Sequence, residues 1–511
     1  MTLSKDVLAT LGAALAYLIE DLGVDRIKVS DIVEESLRKR WVSHVGDLAR
    51  RQLGDVFWPV REGGEAADPI RVAQRLLENP QTAVEVPMVR DGLFARADAL
   101  ALEGDGFVLQ ETKASTYKAK DDGSPTRPKA HHLEDIAIQA WVMESTNLAR
   151  IRCELNLIDS KWVYQDEGDY SGLLRQQDVS GEVETIETEV EGWLHEANQL
   201  LEAGRPEVSM GSQCYAPHPC PFQDRCRELE PLAEDHPLEL LPGSGKALAK
   251  KLREQGYRSL LDPREDEFVG KDAALFKRMQ VGHRDGRAVL EPDAAEIINR
   301  LPFPRYFFDF EGIDMPVPIW TGTRPYEQIP FQFSCHIEED AGQFRHEEFL
   351  DLAGTDPSPG CMEAMIRVLA PGTDGPIIVY NATYERSRIR ELGLRHPEYA
   401  DLMRGFEERL FDLWPVVRDH YYHPAMRGSF SIKSVLKAVS PDLDYGDLDE
   451  IQSGSRAQVG YLEAISPDTS EARKLVLDQS LREYCRLDTW AMVEVAFCLL
   501  GGERAERPEE D

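Results

Sequence analysis

The chain is poor in cysteine, short of positive charge and without long apolar runs, and each shortage removes a class of protein. Eight cysteines in 511 residues are too few for a disulfide scaffold. No stretch reaches the roughly 20 apolar residues that a membrane-crossing helix needs. The opening MTLSKDVLATLGAALAYLIEDLG is apolar only in part and meets acidic residues at once, so it reads as a helix and not as a cleaved leader. The expectation is a cytoplasmic protein with no membrane partner. Lysine and arginine number 58 against 92 aspartates and glutamates, a net charge of −34. Such a field repels nucleic acid, so an enzyme of this composition that works on it must gather its cations locally. Two places do so. One holds Lys113, Lys118, Lys120, Arg127 and Lys129; the other is KALAKKLR, Lys246–Arg253.

What is present is ordinary for globular protein, with 42% hydrophobic and 29% charged residues. The length exceeds one hydrophobic core, so two or three α/β domains are expected. Residues 1–235 run through helices, strands, a helix and a cysteine cluster. Residues 236–298 read as a helical connector with glycine turns. Residues 299–500 alternate strands and helices after an aromatic start, RYFFDFEG, and 501–511 form a charged tail expected to be disordered.

In the first region VEVPMV, FARADALAL and GFVLQETK have strand character, and EGDG is a hairpin turn between the last two. Asp98 then lies on one strand and the triplet Glu111-Thr112-Lys113 on its neighbour. Residues two apart on a strand share a face, so Glu111 and Lys113 point the same way and Asp98 can join them. Two carboxylates at ligand distance suit Mg²⁺ or Mn²⁺, and the ammonium can orient water or stabilise phosphate charge. The amphipathic HHLEDIAIQAWVM brings Gln139, and His131 or His132, near the sheet edge. A hairpin with a surface Glu/Lys pair would show the same triplet. The ordered set of strand, hairpin, ExK, Lys-rich loop and Gln-bearing helix resembles the RecB-like branch of the PD-(D/E)XK nucleases, over roughly residues 40–230. The resemblance implies a restriction-endonuclease-like fold. It makes Glu85 the early acid, Asp98 a metal ligand, Glu111 and Lys113 the ExK pair, and Gln139 the start of a helix motif whose tyrosine position holds Met143.

QCYAPHPCPFQDRC sets Cys214, Cys220 and Cys226 at equal spacing, and clustered thiolates suit Zn²⁺ or an iron–sulfur cluster. The stretch resembles the C-terminal three cysteines of the iron–sulfur RecB-like nucleases, which implies a fourth cysteine ahead of the nuclease core. None precedes Cys153, and LSKDVLATLGAALAYL carries alanine where that ligand is implied. Cys153 and His218 are the candidates to complete the set; otherwise the loop keeps three free thiols. Further on, LPGSGKALAKKL resembles a helix-hairpin-helix, whose turn amides approach a phosphate, although a hairpin packed between domains has the same pattern.

In the last region Asp309 and Glu311 share one face of an apolar strand, where two acids are costly unless a divalent cation compensates them. GPIIVYNATYERSRIREL is a strand running into a helix, with Asn381 and Glu385 in its first turns. LREYCRLDTWAMVEVAFCLL is a helix that carries Tyr484 and Asp488 four residues apart on one face. Four acids on these three elements can converge on two metal ions, which clamp the attacking and leaving oxygens of a phosphodiester. DFE, NATYE and YCRLD, in that order, resemble the three motifs of the DnaQ-like exonucleases of the RNase H-like fold, tyrosine subclass (DEDDy), across roughly 300–500. The family usually has Asp where Glu385 stands, which leaves Asp412 in FDLWPVVRDHYYHP as a second candidate for the fourth ligand. The resemblance assigns Tyr484 to the attacking water. The aromatic insert Pro316 to Phe333 either borders a substrate channel, with Trp320 or Tyr326 stacking on a base, or packs on the sheet. PYEQIPFQFS resembles the signature of a bacterial family of unassigned function that joins a RecB-like region to this exonuclease-like domain, a resemblance covering nearly the whole chain.

The expected protein is therefore a metal-dependent double nuclease acting on nucleic acid, DNA before RNA. The resemblance adds single-stranded ends digested from the three-prime side, in DNA repair or defence. Two rivals remain: a nucleic-acid-binding scaffold built on decayed nuclease folds, and an RNA-processing exonuclease.

Overall fold

The structure, a computed structural model, describes residues 37–54, 56–59, 68–203, 236–369, 372–448 and 450–502. The chain divides into two compact units, Met1–Pro231 with Met315–Glu327, and Leu232–Asp314 with Gln328–Asp511. Both are mixed α/β, and no helix among the described residues is long and apolar enough to cross a membrane. The N-terminal segment, the cluster Cys214, Cys220 and Cys226 with His218, and the tail beyond residue 502 lie outside the described residues.

The first unit holds helices α1 (Leu37–Gln52), α2 (Pro69–Glu78), α3 (Ala130–Met143) and α4 (Ser180–Ala203). Its one sheet runs in chain order: β1 (Ala83–Arg90), β2 (Leu93–Glu103), β3 (Gly106–Thr116), β4 (Arg150–Ile158) and β5 (Leu174–Asp178). The first three strands form an antiparallel meander. β4 is parallel to β3, a pairing that requires a crossover, and α3 supplies it. Leu133, Ile136, Ala137, Ala140 and Met143 of α3 share a buried core with Val86, Met88, Leu109 and Leu155 of the sheet. Cys153 is buried in the same core.

Met315–Glu327 belongs to this first unit. Val317 shares a core with Val45, Leu48, Ile158 and Leu173. The Tyr326 hydroxyl donates to Ala114 O at 2.9 Å, and the Tyr164 amide donates to Thr323 O at 3.0 Å. The aromatic insert packs into the first unit as far as Glu327, with Trp320 buried, and from Gln328 onward it is strand.

The second unit holds α5 (Gly245–Glu254), α6 (Ala273–Asp285), β6 (Val289–Leu290), α7 (Asp293–Asn299), β7 (Arg305–Asp314), β8 (Gln328–Asp340), β9 (Gln343–Leu350) and α8 (Ser358–Val368). These are followed by β10 (Ile377–Val379), α9 (Thr383–Arg395), α10 (Ala400–Glu408), β11 (Leu410–Asp412), α11 (Leu413–His420), β12 (Tyr421–Tyr422), α12 (Ile432–Val439), α13 (Gly454–Ala464) and α14 (Glu471–Leu499). Its main sheet has the order β11-β10-β7-β8-β9. β10 runs parallel to β7 and β11, whereas β8 runs antiparallel to β7 and β9. The aromatic alternation of β7 is sorted by face. Tyr306, Phe308 and Phe310 enter a core with Cys361, Met365, Ile389, Leu392 and Phe406 from α8–α10. Phe307 enters another with Trp490, Val493 and Ala496 of α14.

Residues 236–298 are not a separate connector. Leu252, Phe276 and Met279 lie in the same core as Trp490. Among the described residues, the short turn Leu238–Leu240 is the one element just before the glycine turn. A Cβ on Gly245 would sit 2.6 Å from Leu241 Cβ and 2.9 Å from Phe276 Cζ, so this glycine serves close packing. Lys246, Lys250 and Lys251 are solvated.

Candidate functional site

Two elements of the second unit bring three acids together. Asp309 and Glu311 lie on the Phe307 side of β7, where α14 presents Tyr484 and Asp488 one turn apart. Ser470 caps that helix by accepting the Arg473 amide. Ligand oxygens of Asp309, Glu311 and Asp488 lie within 4.8 Å of one another, the one such set of three or more His, Cys, Asp or Glu among the described residues. A bulge follows Glu311: Glu311 pairs with Gln332 but Gly312 with Pro330. Bulges of this kind re-aim side chains beside functional sites. A Cβ on Gly312 would come within 2.5 Å of the Tyr384 hydroxyl, so any other residue here would displace Tyr384 at the cavity wall.

Glu385 reaches the group through Asp309, to which its carboxyl is hydrogen-bonded. Its Oε2 is buried with no hydrogen-bond partner. Asp412 has a different task. Its carboxylate accepts the amides of Asn381 (2.9 Å), Ala382 (3.0 Å) and Trp414 (3.0 Å). It caps α11 and also holds Asn381, at φ 68°, in the turn that starts α9. Of the two candidates for a fourth ligand, Glu385 has an oxygen to offer, whereas Asp412 positions the helix that carries it.

Asp309, Glu311 and Asp488, but not Glu385, line a cavity of about 320 Å³, completed by Phe310, Gly312, Gln328, Tyr380, Tyr384, Ile432, Lys433, Gly454, Gln458, Tyr484 and Met492. Burial, then repulsion from Asp488 and Glu385, pushes Asp309 well above the carboxylate range; burial and Asp488 do the same to Glu311. Burial raises Glu385 to about 7. Asp488 rises to about 6, its burial opposed by hydrogen bonds from Tyr445 and Tyr484 and by the charge of Lys433. A cluster of carboxylates that the protein itself does not neutralise, with one orphaned acceptor, fits a hard divalent cation.

Sequence reading missed two residues here. The Tyr445 hydroxyl donates to Asp488 Oδ1 at 2.5 Å. Lys433, the second residue of α12, is the single cation lining the cavity among the described residues. Neither carries a local signal, since each depends on where a loop and a short helix return to the sheet.

In the first unit the expected constellation also assembles, and here most of the acids have donors or cations against them, although Asp135 Oδ1 is buried without a hydrogen-bond partner. The Thr112 amide donates to Asp98 Oδ2 at 2.8 Å. Glu111 accepts Lys113 Nζ at 2.7 Å and Gln139 Nε2 at 2.6 Å. Lys113 also pairs with Asp135 at 2.9 Å, a residue four before Gln139 on α3 that sequence reading passed over. Glu85, at φ 52°, is pinned by Arg50 (2.5 Å) and Arg96 (2.7 Å). Burial and the neighbouring Glu111 raise Asp98 to about 7. Burial disfavours the Lys113 ammonium, but Glu111 and Asp135 outweigh it and raise its pKa. Met143 is core, His132 is buried, and His131 is half-buried.

Residues 306–431 match the model of a family described as a domain of unknown function, DUF2779. The match takes in Asp309, Glu311, Glu385 and Asp412 and stops before Lys433, Tyr445, Tyr484 and Asp488. Over 214 residues the chain is 23% identical to the uncharacterized protein MG366 of Mycoplasma genitalium, an alignment covering 39% of this chain and 32% of that protein. The chain thus spans about a third of that relative's length. No solved structure matches.

Proposed function

We propose that the second unit is a metal-dependent exonuclease acting on nucleic acid ends, DNA before RNA, and that the first unit carries a second nuclease site of the PD-(D/E)XK type. The observation that carries the reading is the convergence of Asp309, Glu311 and Asp488 within 4.8 Å, with Glu385 attached through Asp309. The sheet supports it. Counted from β7, the strand order is 3-2-1-4-5 with only the second strand antiparallel, which is the arrangement of an RNase H-like core. The meander followed by a parallel strand in the first unit, with Asp98, Glu111 and Lys113 on it, is likewise what a PD-(D/E)XK core requires.

Asp309, Glu311, Asp488 and Glu385 would hold Mg²⁺ or Mn²⁺, which would supply charge stabilisation to the attacking and leaving oxygens of a phosphodiester. Tyr484, against Asp488 and on the cavity wall, orients the attacking water. A cavity of about 320 Å³ lies at the small end of ligand sites and suits one terminal nucleotide, not a duplex.

The test is release of mononucleotides from end-labelled single- and double-stranded DNA, and from RNA of the same sequence, with Mg²⁺ or Mn²⁺. The wild type releases them and Asp309→Asn does not. If both are inert while nucleic acid still binds, the protein is a binding scaffold; if only RNA is cut, it is an RNA-processing enzyme.

A further inference from the structure

Lys433 has an unusual setting for a cation among acids. It shares the cavity with Asp309, Glu311 and Asp488 yet forms no ion pair with any of them within 4.0 Å. A lysine meant to neutralise those carboxylates would lie against one. Instead its Nζ donates to Gln452 O at 2.6 Å and sits 4.6 Å from the ring centroid of Tyr445 and 5.2 Å from that of Tyr484. A carbonyl and two aromatic faces fix a cation without cancelling its charge. An ammonium has three donors, and one is used here. Lys433 also stands in the first turn of α12, whose N-terminal end adds positive potential on the same side.

The two rings tie this lysine to the acids. Tyr445 donates to Asp488, and Tyr484 lies against the same carboxylate. The cation is therefore held at a fixed offset from the carboxylates, with donors to spare, in a chain of net charge −34 where a strand has little else to attract it.

We infer that Lys433 is the phosphate-binding residue of this site, donating to a non-bridging oxygen of the phosphodiester presented to Asp309, Glu311 and Asp488. The inference rests on the nuclease reading and goes beyond it by naming what recognises the substrate. A compact ammonium binds phosphate as a point charge without reading a base, so selectivity falls on backbone and not on sequence.

The experiment compares wild type, Lys433→Gln and Lys433→Arg on an end-labelled single-stranded DNA in Mg²⁺, over a range of salt. Mn²⁺ binding is titrated separately without nucleic acid. Lys433→Gln raises KM about tenfold or more with a smaller change in kcat. It also makes the salt dependence of substrate affinity shallower by roughly 0.7 in the log–log slope, the signature of one lost phosphate contact on a single strand. Mn²⁺ affinity does not fall, and Lys433→Arg recovers part of the KM. If Lys433→Gln leaves KM and the salt slope unchanged in an enzyme whose wild type is active, this inference fails and the nuclease reading stands. A change in Mn²⁺ affinity alone would make Lys433 a counter-ion of the acids and overturn the inference equally. An inert wild type takes both down.

Discussion

The two units each gather acids where a strand meets a helix, and they treat the charge differently. In the first, Glu111 is bound by Lys113 and Gln139, Glu85 by Arg50 and Arg96, and Asp98 by the Thr112 amide. In the second, Asp309, Glu311 and Asp488 face one another, Glu385 leans on Asp309, and the donors that reach them are phenols. Buried charge must be paired or neutralised. The first site does this largely with its own side chains, although burial and Glu111 still raise Asp98 to about 7; in the second, burial raises all four acids and no ion pair among the described residues meets them. The second site is thus the one that leans more on something from solution.

The largest expected effect is on activity. Asp309→Asn removes end-initiated digestion by about a thousandfold or more, since it withdraws a ligand from several kcal/mol of charge stabilisation. Glu111→Gln leaves most of that digestion intact. Equal losses in the two variants, measured as nucleotide release from labelled single strands, would break the contrast between the sites. Next comes metal. Saturating Mn²⁺ stabilises the wild type by about 2.7 kcal/mol at a hundred times its Kd, raising the melting temperature by several degrees. The rise is lost in Asp309→Asn and kept in Glu111→Gln. Calorimetry with and without chelator decides this, and a rise that survives Asp309→Asn would move the main cation site elsewhere.

The pH dependence is the next largest. Glu385 at about 7 and Asp488 at about 6 lie above ordinary carboxyls, so between about pH 4 and 7 the native state binds more protons than the unfolded one. The stability of the metal-free protein therefore falls as pH rises through that window, and Asp309 and Glu311, pushed well above the carboxylate range, act in the same direction. Asp98, at about 7, adds to the same slope from the first unit. Asp309→Asn takes away that residue's own share but leaves the burial that raises Glu385 and Asp488, so melting curves from pH 5 to 8 become flatter but not flat. An unchanged slope would place the burden outside Asp309.

Legibility followed the range of the interactions. Asp309 and Glu311 were readable because a strand alternates every second residue, and Tyr484 with Asp488 because a helix turns in about four. Asp135 was passed over although it stands one helix turn before Gln139, because only its lysine partner gives it meaning. Lys433 and Tyr445 were not readable: they meet Asp488 from 55 and 43 positions away, through a short helix and a loop. The insert Met315–Glu327 defeated sequence reading for the same reason. Its partners, Ala114, Tyr164 and Leu173, are far off in the chain, and local composition says only that it is apolar. The connector 236–298 looked independent because its helices are amphipathic, but amphipathicity does not say which core receives the apolar face.

The smallest effect probes how the second site holds its acids without salt bridges. Tyr445→Phe removes one hydroxyl from Asp488 and leaves the ring over Lys433 in place. A hydrogen bond to a charged group contributes about 1.5–3 kcal/mol, so turnover falls by roughly ten- to a hundredfold if the bond aims Asp488 at its ligand. Raising Mn²⁺ recovers part of the loss, because a misaimed carboxylate binds more weakly but still binds. KM for the strand changes little, since the phosphate contact is carried by Lys433. The matching change in the first unit, Gln139→Leu, withdraws a donor from Glu111 at 2.6 Å and is read as a loss of stability, with end-initiated digestion unchanged. Both variants need only a kinetic assay and a melting curve. If Tyr445→Phe acts on melting and not on turnover, the two units handle their acids alike, and the contrast drawn between them is wrong.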